Sequence, residues 1–220
     1  MVRVLLQKFS KQKQDKPIIV VSGLPRSGTS MMMKMLEVGG LPPLVDHIRT
    51  ADLDNPKGYY EFERVKKLPE GDHAWLVDAR GKVVKVIAML LLHLPATYTY
   101  RVIFMRRAMP EILASQRKML INRGEDPDNI GDEEMARIFN GHLRQVNAWL
   151  TNQPNLEHLD VKYSQLVDGS RLEDIERINQ FLGGELDVRK MKEVVDPDLY
   201  RHRKEAAVWD RQTTYPTMSE

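Results

Sequence analysis

The chain has 220 residues, 42% of them hydrophobic, and 33 basic against 31 acidic side chains leave a formal charge of +2. That is enough apolar material for one sizeable core, with no bulk charge demanding nucleic acid or an anionic membrane. The absence of cysteine excludes a disulfide framework, thiolate catalysis and thiol-ligated zinc, and the six histidines show no close metal-ligand spacing, so a metal-free chemistry is expected. No early stretch has the order of a signal peptide, and the longest apolar run, Val86 to Leu92, is too short to span a bilayer; the expectation is a cytoplasmic protein without stable membrane insertion.

Residues 1–16 end in a polar, basic stretch from Lys8 to Lys16 and read as a solvated lead-in to a single domain over 17–220. Pro17-Ile-Ile-Val-Val-Ser22 packs four apolar, mostly β-branched residues in a row, the mark of a strand buried on both faces of a parallel sheet. From Thr29 to Val38 the pattern turns helical, with Met31, Met35 and Val38 on one face and Gly39-Gly40 as a stop. The methionines there read as core filler. Leu41 to Gly58, with Pro42, Pro43, Pro56 and several Asp, reads as a long irregular loop on the acceptor side of a cleft.

Further strands are expected over Val83 to Met89 and Arg101 to Met105, the second leading through Arg106-Arg107 into a helix near Pro110. An amphipathic helix follows from Asp132 to about Thr151, then a strand near Leu156 to Val161 and a helix from about Leu172 to Leu182, closed by Gly183-Gly184. Strands alternating with helices predict an α/β three-layer sandwich on a central, mainly parallel sheet. No internal repeat or low-complexity tract interrupts it.

Between the first strand and helix stands Gly23-Leu-Pro-Arg-Ser-Gly-Thr-Ser30, with the two glycines and final hydroxyl of the nucleotide-triphosphate loop, but with Thr29 where that loop has lysine. Without the lysine, hydrolysis of ATP or GTP is disfavoured. The cation is instead Arg26, two residues before Gly28, where forked donors combine with the Ser27–Ser30 amides around an anion.

Pro25-Arg-Ser-Gly-Thr-Ser30 after a hydrophobic strand resembles the 5'-phosphosulfate loop of the sulfotransferase family, which uses 3'-phosphoadenosine 5'-phosphosulfate as donor and releases adenosine 3',5'-bisphosphate. Arg101-Val-Ile-Phe-Met-Arg-Arg-Ala-Met-Pro-Glu-Ile-Leu-Ala-Ser115 is similar to the family's strand, arginine and helix serine that hold the 3'-phosphate. The family proline usually lies two residues past the arginine, whereas Pro110 lies three past Arg107 and four past Arg106, so either arginine qualifies; Arg107 keeps the family spacing to Glu111 and Ser115. An arginine at a strand end and a serine inside the next helix also suit a phosphate dianion on physical grounds. More weakly, Val161-Lys-Tyr-Ser-Gln-Leu166 resembles the family's strand ending in a tyrosine near the adenine, which implies Tyr163. Tyr200-Arg-His-Arg-Lys204 would add a cation near the 3'-phosphate, without matching the family's late motif. The resemblance spans about residues 17–184 and implies a nucleotide-hydrolase-like fold with a phosphate loop.

It implies that Arg26, Ser27, Gly28, Thr29 and Ser30 hold the phosphosulfate, with Arg26 at the bridging oxygen, and that Arg107 and Ser115 hold the far phosphate. The base has several candidates. The strand Val83-Val-Lys-Val-Ile87 offers Lys85 near the place of the cytosolic branch's histidine motif, and His93-Leu-Pro95 only echoes it. Asp46 falls where the tyrosyl-protein branch has a glutamate, about twenty residues past the loop arginine. Glu61, in Asn55-Pro-Lys-Gly-Tyr-Tyr-Glu61, is the other carboxylate, although Glu61 to Lys67 also fits an exposed helical face. The resemblance implies a small-molecule or glycan acceptor with a hydroxyl or amine. A small-molecule kinase on the same loop, and a catalytically silent nucleotide-binding protein, are the competing readings.

Overall fold

The computed structural model describes residues 16–46, 48, 58–167 and 172–195. The basic lead-in before residue 16, residues 47 and 49–57 of the long loop, and Tyr200 to Lys204 lie outside the described residues.

Four strands, β1 (Ile18–Gly23), β2 (Val83–Lys85), β3 (Tyr100–Arg106) and β4 (Leu156–Lys162), form one sheet in the order β2-β1-β3-β4, every pair parallel. Along β1 the side chains alternate between two cores. Ile18 and Val20 join Val84, Val102 and Phe104 on one face, while Ile19 and Val21 join Val83, Ile103 and Met105 on the other. Burial on both faces is why this strand reads as an unbroken apolar run instead of alternating with polar residues.

Helices cover both faces. On the Val20 face lie a 3-10 helix (Glu63–Glu70), α2 (Leu76–Ala79), a second 3-10 helix (Ala88–His93) and the long α4 (Asp132–Asn152). On the Val21 face lie α1 (Thr29–Val38), α5 (Tyr163–Val167), α6 (Leu172–Leu182) and α7 (Val188–Glu193). The fold is therefore α/β with an all-parallel sheet flanked by helices, compatible with the three-layer sandwich expected. Among the described residues no helix is long and apolar enough to cross a membrane.

The strand expected over Val83 to Met89 is cut short. Its last pairing with β1 is Lys85 beside Val21, and after the bond from Val86 N to Val21 O at 3.0 Å the chain leaves the ladder although β1 runs on to Gly23. The chain turns into the Ala88–His93 helix, whose Ala88 and Leu91 serve the Val20-face core, and the apolar run is spent on a helix that carries the chain back to the start of β3.

The order β2-β1-β3 makes β1 a switch point. The connection from β1 leads to β2 on one side, and the next leads to β3 on the other. A crevice thus opens beyond the carboxyl ends of β1 and β3, where open parallel sheets bind ligands. Its flanking helices diverge: α1 packs on the Val21 face, whereas α3 (Met109–Asn122) packs with Leu24 and Phe139 of α4.

Phe104 is fully buried between the strands and the helices of the Val20 face. Phe104→Ala is expected to cost about 3–5 kcal/mol in urea unfolding, whereas Ile121→Ala at the exposed end of α3 changes stability by no more than about 0.5 kcal/mol.

Candidate functional site

The loop Leu24–Gly28 leaves β1 where Gly23 pairs with Met105 of β3. A tight turn, Ser27 N to Leu24 O at 3.2 Å, brings the Ser27 hydroxyl over Gly23, so that a Cβ on Gly23 would lie 2.4 Å from Ser27 Oγ. Gly28 has φ 96°, and a Cβ there would meet the Tyr163 ring at 2.4 Å. Both glycines are therefore required by close approach as well as by backbone angle. The first α1 bond runs from Met32 N to Gly28 O at 3.1 Å, and no side chain caps the helix, so the Thr29, Ser30 and Met31 amides face outward from a helix N-terminus. Ser27, 1% exposed, has a hydroxyl with no protein partner among the described residues. Unpaired amides beside an orphaned buried hydroxyl are groups that a bound anion satisfies.

Arg26 sits in the left-handed region at φ 67°, an uncommon place for a non-glycine residue. Arg107, one residue beyond β3, holds it there by donating from Nη1 to the Arg26 carbonyl at 2.9 Å. Its Nε donates to Glu111, one turn into α3, at 2.9 Å, with the two side chains only 7% and 6% exposed. The Tyr163 ring lies 4.3 Å from the guanidinium carbon, which makes Tyr163 a floor shared by Arg107 and Gly28. The Arg26 side chain then crosses the crevice and donates from Nε to Ser115 Oγ at 2.9 Å. Ser115 is buried two turns into α3. Residues 81 and 89 positions apart in sequence thus converge on one spot.

The two arginines have different employment. Arg106 is turned away from the loop, to Asn147 of α4 at 2.7 Å and Asp160 of β4 at 3.0 Å, over the Phe104 ring at 4.1 Å. Arg107 is the one that reaches the loop. Two of its three nitrogens are committed to protein oxygens, and among the described residues no protein acceptor takes Nη2.

Beyond α1 a second group gathers at the end of β2. Lys85 donates from Nζ to the Tyr59 carbonyl and stands 3.8 Å from Glu61 Oε1, the side chains 10% and 20% exposed. Ser30 Oγ donates to the same carbonyl at 3.4 Å, which ties this group to the loop helix. Asp46 is placed otherwise: its carboxylate accepts from Glu63 N at 2.6 Å and Ile48 N at 3.1 Å, capping the start of the Glu63–Glu70 helix. His93 is exposed beside Pro95, whose carbonyl accepts from Tyr100 at the start of β3, the opposite edge of the sheet. Sequence reasoning missed Tyr59 and Tyr60, because a carbonyl acceptor and a backbone turn leave no residue-type signal. The adjacent aromatics in Gly58-Tyr-Tyr-Glu61 were the one available hint.

Glu111→Ala would leave the buried Arg107 cation unpaired and let the Arg26 carbonyl go. The expected loss is about 3–5 kcal/mol in denaturant unfolding, several times that of Lys66→Ala, which removes an exposed pair. No protein-family model matches the chain, and no curated protein matches it.

Proposed function

We propose that the chain is a sulfotransferase with a nucleotide-hydrolase-like phosphate loop, which moves a sulfuryl group from 3'-phosphoadenosine 5'-phosphosulfate to a hydroxyl or amine of a small-molecule or glycan acceptor in the cytoplasm. What supports the reading above all is the meeting of the two anion motifs: Arg26 is bonded through its side chain to Ser115 and through its carbonyl to Arg107, so one doubly phosphorylated molecule spans both.

The donor supplies an activated sulfur whose bond to the bridging oxygen breaks as a bond to the acceptor oxygen or nitrogen forms, the acceptor's proton passing to a carboxylate. Thr29, Ser30 and Met31 offer outward amides, and Ser27 and Thr29 offer hydroxyls, to the sulfate and 5'-phosphate oxygens, the Ser30 hydroxyl being taken by the Tyr59 carbonyl. Gly28 lets that backbone come close. Arg26, standing between loop and α3, brings positive charge to the departing oxygen and to the far phosphate. Ser115 and Arg107 Nη2 hold the far phosphate, and Tyr163 supports Arg107 and Gly28 from beneath. Glu61 takes the acceptor proton, with Lys85 fixing its place at the β2 end of the crevice. Asp46 is less suited, since both its oxygens are occupied by backbone amides.

Calorimetry is expected to show binding of adenosine 3',5'-bisphosphate, and its absence would sink the reading; magnesium-dependent ATP turnover would replace it with a kinase. Arg26→Ala should lower transfer roughly 10²–10³-fold and weaken bisphosphate binding. Glu61→Gln should lower transfer roughly 10²–10⁴-fold with bisphosphate binding intact. Asp46→Ala instead costs about 1 kcal/mol of stability and far less activity, which is read by combining thermal melts with an acceptor assay. Bisphosphate binding without transfer to any phenol, sugar, lipid or peptide acceptor would point to a silent nucleotide-binding protein.

A further inference from the structure

The segment Gly58–Phe62 crosses in front of α1, and its central residue is strained. Tyr60 has φ 53°, a left-handed value that a bulky aromatic adopts only when its surroundings compel it. The neighbours on either side are fixed. The Tyr59 carbonyl accepts from both Lys85 and Ser30, and the Tyr59 ring is buried with Lys85 Nζ 5.9 Å from its centre. The Glu61 carbonyl accepts from Asp46 N at 3.3 Å, and its carboxylate faces Lys85.

Tyr60 itself turns the other way. Its hydroxyl donates to Glu37 Oε2 at 2.5 Å, and Glu37 is also paired with Lys34 at 2.9 Å. Glu37 stands in the last turn of α1, where the helix dipole opposes a carboxylate, so its place there is not explained by the helix. Ser30 and Glu37 are seven residues apart, two turns along one face. The segment is therefore stapled to both ends of the helix whose N-terminus forms the phosphate loop. Burial, reinforced by the Glu37 hydrogen bond and charge, holds the Tyr60 phenol well above its ordinary pKa, so the donor keeps its proton.

From this we infer that the Tyr60–Glu37 hydrogen bond is a positioning clamp, which sets the register of Gly58–Phe62 along α1 and so the placement of Glu61 and Lys85 against the loop. Tyr60 and Glu37 are positioning residues and touch no reacting atom. The inference rests on the proposed transfer reaction for its catalytic consequence but not for its structural content, and the test separates the two.

Amide exchange read by mass spectrometry on the peptide covering residues 58–63 is the primary measurement, in the full chain. Tyr60→Phe and Glu37→Ala should each speed exchange there about tenfold, the double variant should add nothing, and Glu37→Gln, which still offers an acceptor, should restore protection. Peptides of β1 and β3 should be unaffected in all four. Unchanged protection in both Tyr60→Phe and Glu37→Ala, or effects that add in the double variant, would overturn the clamp. In the transfer assay the same two variants should lower kcat about tenfold with the donor KM unchanged, since the donor is held by the loop; a raised donor KM with unchanged kcat counts against the positioning role. If wild type binds no adenosine 3',5'-bisphosphate, the sulfotransferase reading fails, while the exchange data still decide the clamp.

Discussion

One guanidinium organises the carboxyl edge of the sheet. Arg107 leaves β3 into a nearly dry space, and a cation there is tolerable only with a well-placed partner and further hydrogen bonds. Glu111 supplies the partner one helical turn later, the Arg26 carbonyl takes a second nitrogen, and the Tyr163 ring lies against the planar group. Because a trans peptide directs its C=O and N–H to opposite sides, pulling the Arg26 carbonyl toward Arg107 turns the Ser27 N–H back to Leu24 O. That single peptide orientation places Arg26 in the left-handed region and sends the chain into α1 with its first amides outward. The loop's shape is thus set from behind, by residues that look like anion ligands in the sequence and act first as a brace.

Parallel pairing makes that brace effective. Since β1 and β3 run the same way, the residues following both strands emerge at the same edge, and Gly23 beside Met105 brings loop and Arg107 together without any long-range search. Closure of the brace through Tyr163 recruits β4, whose last residue, Lys162, pairs with Arg106. Three of the four strands therefore end in one contact group. The fourth, β2, ends in the Lys85 group, which reaches the loop helix through Ser30 and the Tyr59 carbonyl.

How much of this was legible in the sequence follows from what kind of signal each feature leaves. Thr29–Val38 and Leu172–Leu182 have the bounds their apolar spacing and closing glycines predict, since a helix with one buried face writes a period into the chain. Leu156–Lys162 lies within one residue of its expected bounds. The run from Val86 to Leu92 was not legible, because a buried 3-10 helix and a buried strand both accept continuous apolar residues, and periodicity alone does not decide between them. At the site, the loop was visible as a motif, and the spacing to Glu111 and Ser115 favoured Arg107 over Arg106; that Arg106 turns to Asn147 and Asp160 is what no local spacing encodes. Asp46 and Glu61 were equivalent as carboxylates until the backbone amides at one and the lysine at the other became visible.

The two carboxylate–cation groups flanking the loop differ in a way that suits different tasks. Arg107 and Glu111 meet at 2.9 Å, nearly excluded from water, with a planar donor that fixes direction as well as charge. Lys85 and Glu61 stand at 3.8 Å, in greater contact with solvent, and lysine acts as a point charge whose donors rotate. A rigid pair behind the loop keeps its backbone in one geometry. The looser pair fixes direction less strictly than the arginine pair does. The strain at Tyr60 and its bond to Glu37 add a constraint from the backbone side, so that a point-charge pairing at the carboxylate is combined with a fixed main chain behind it.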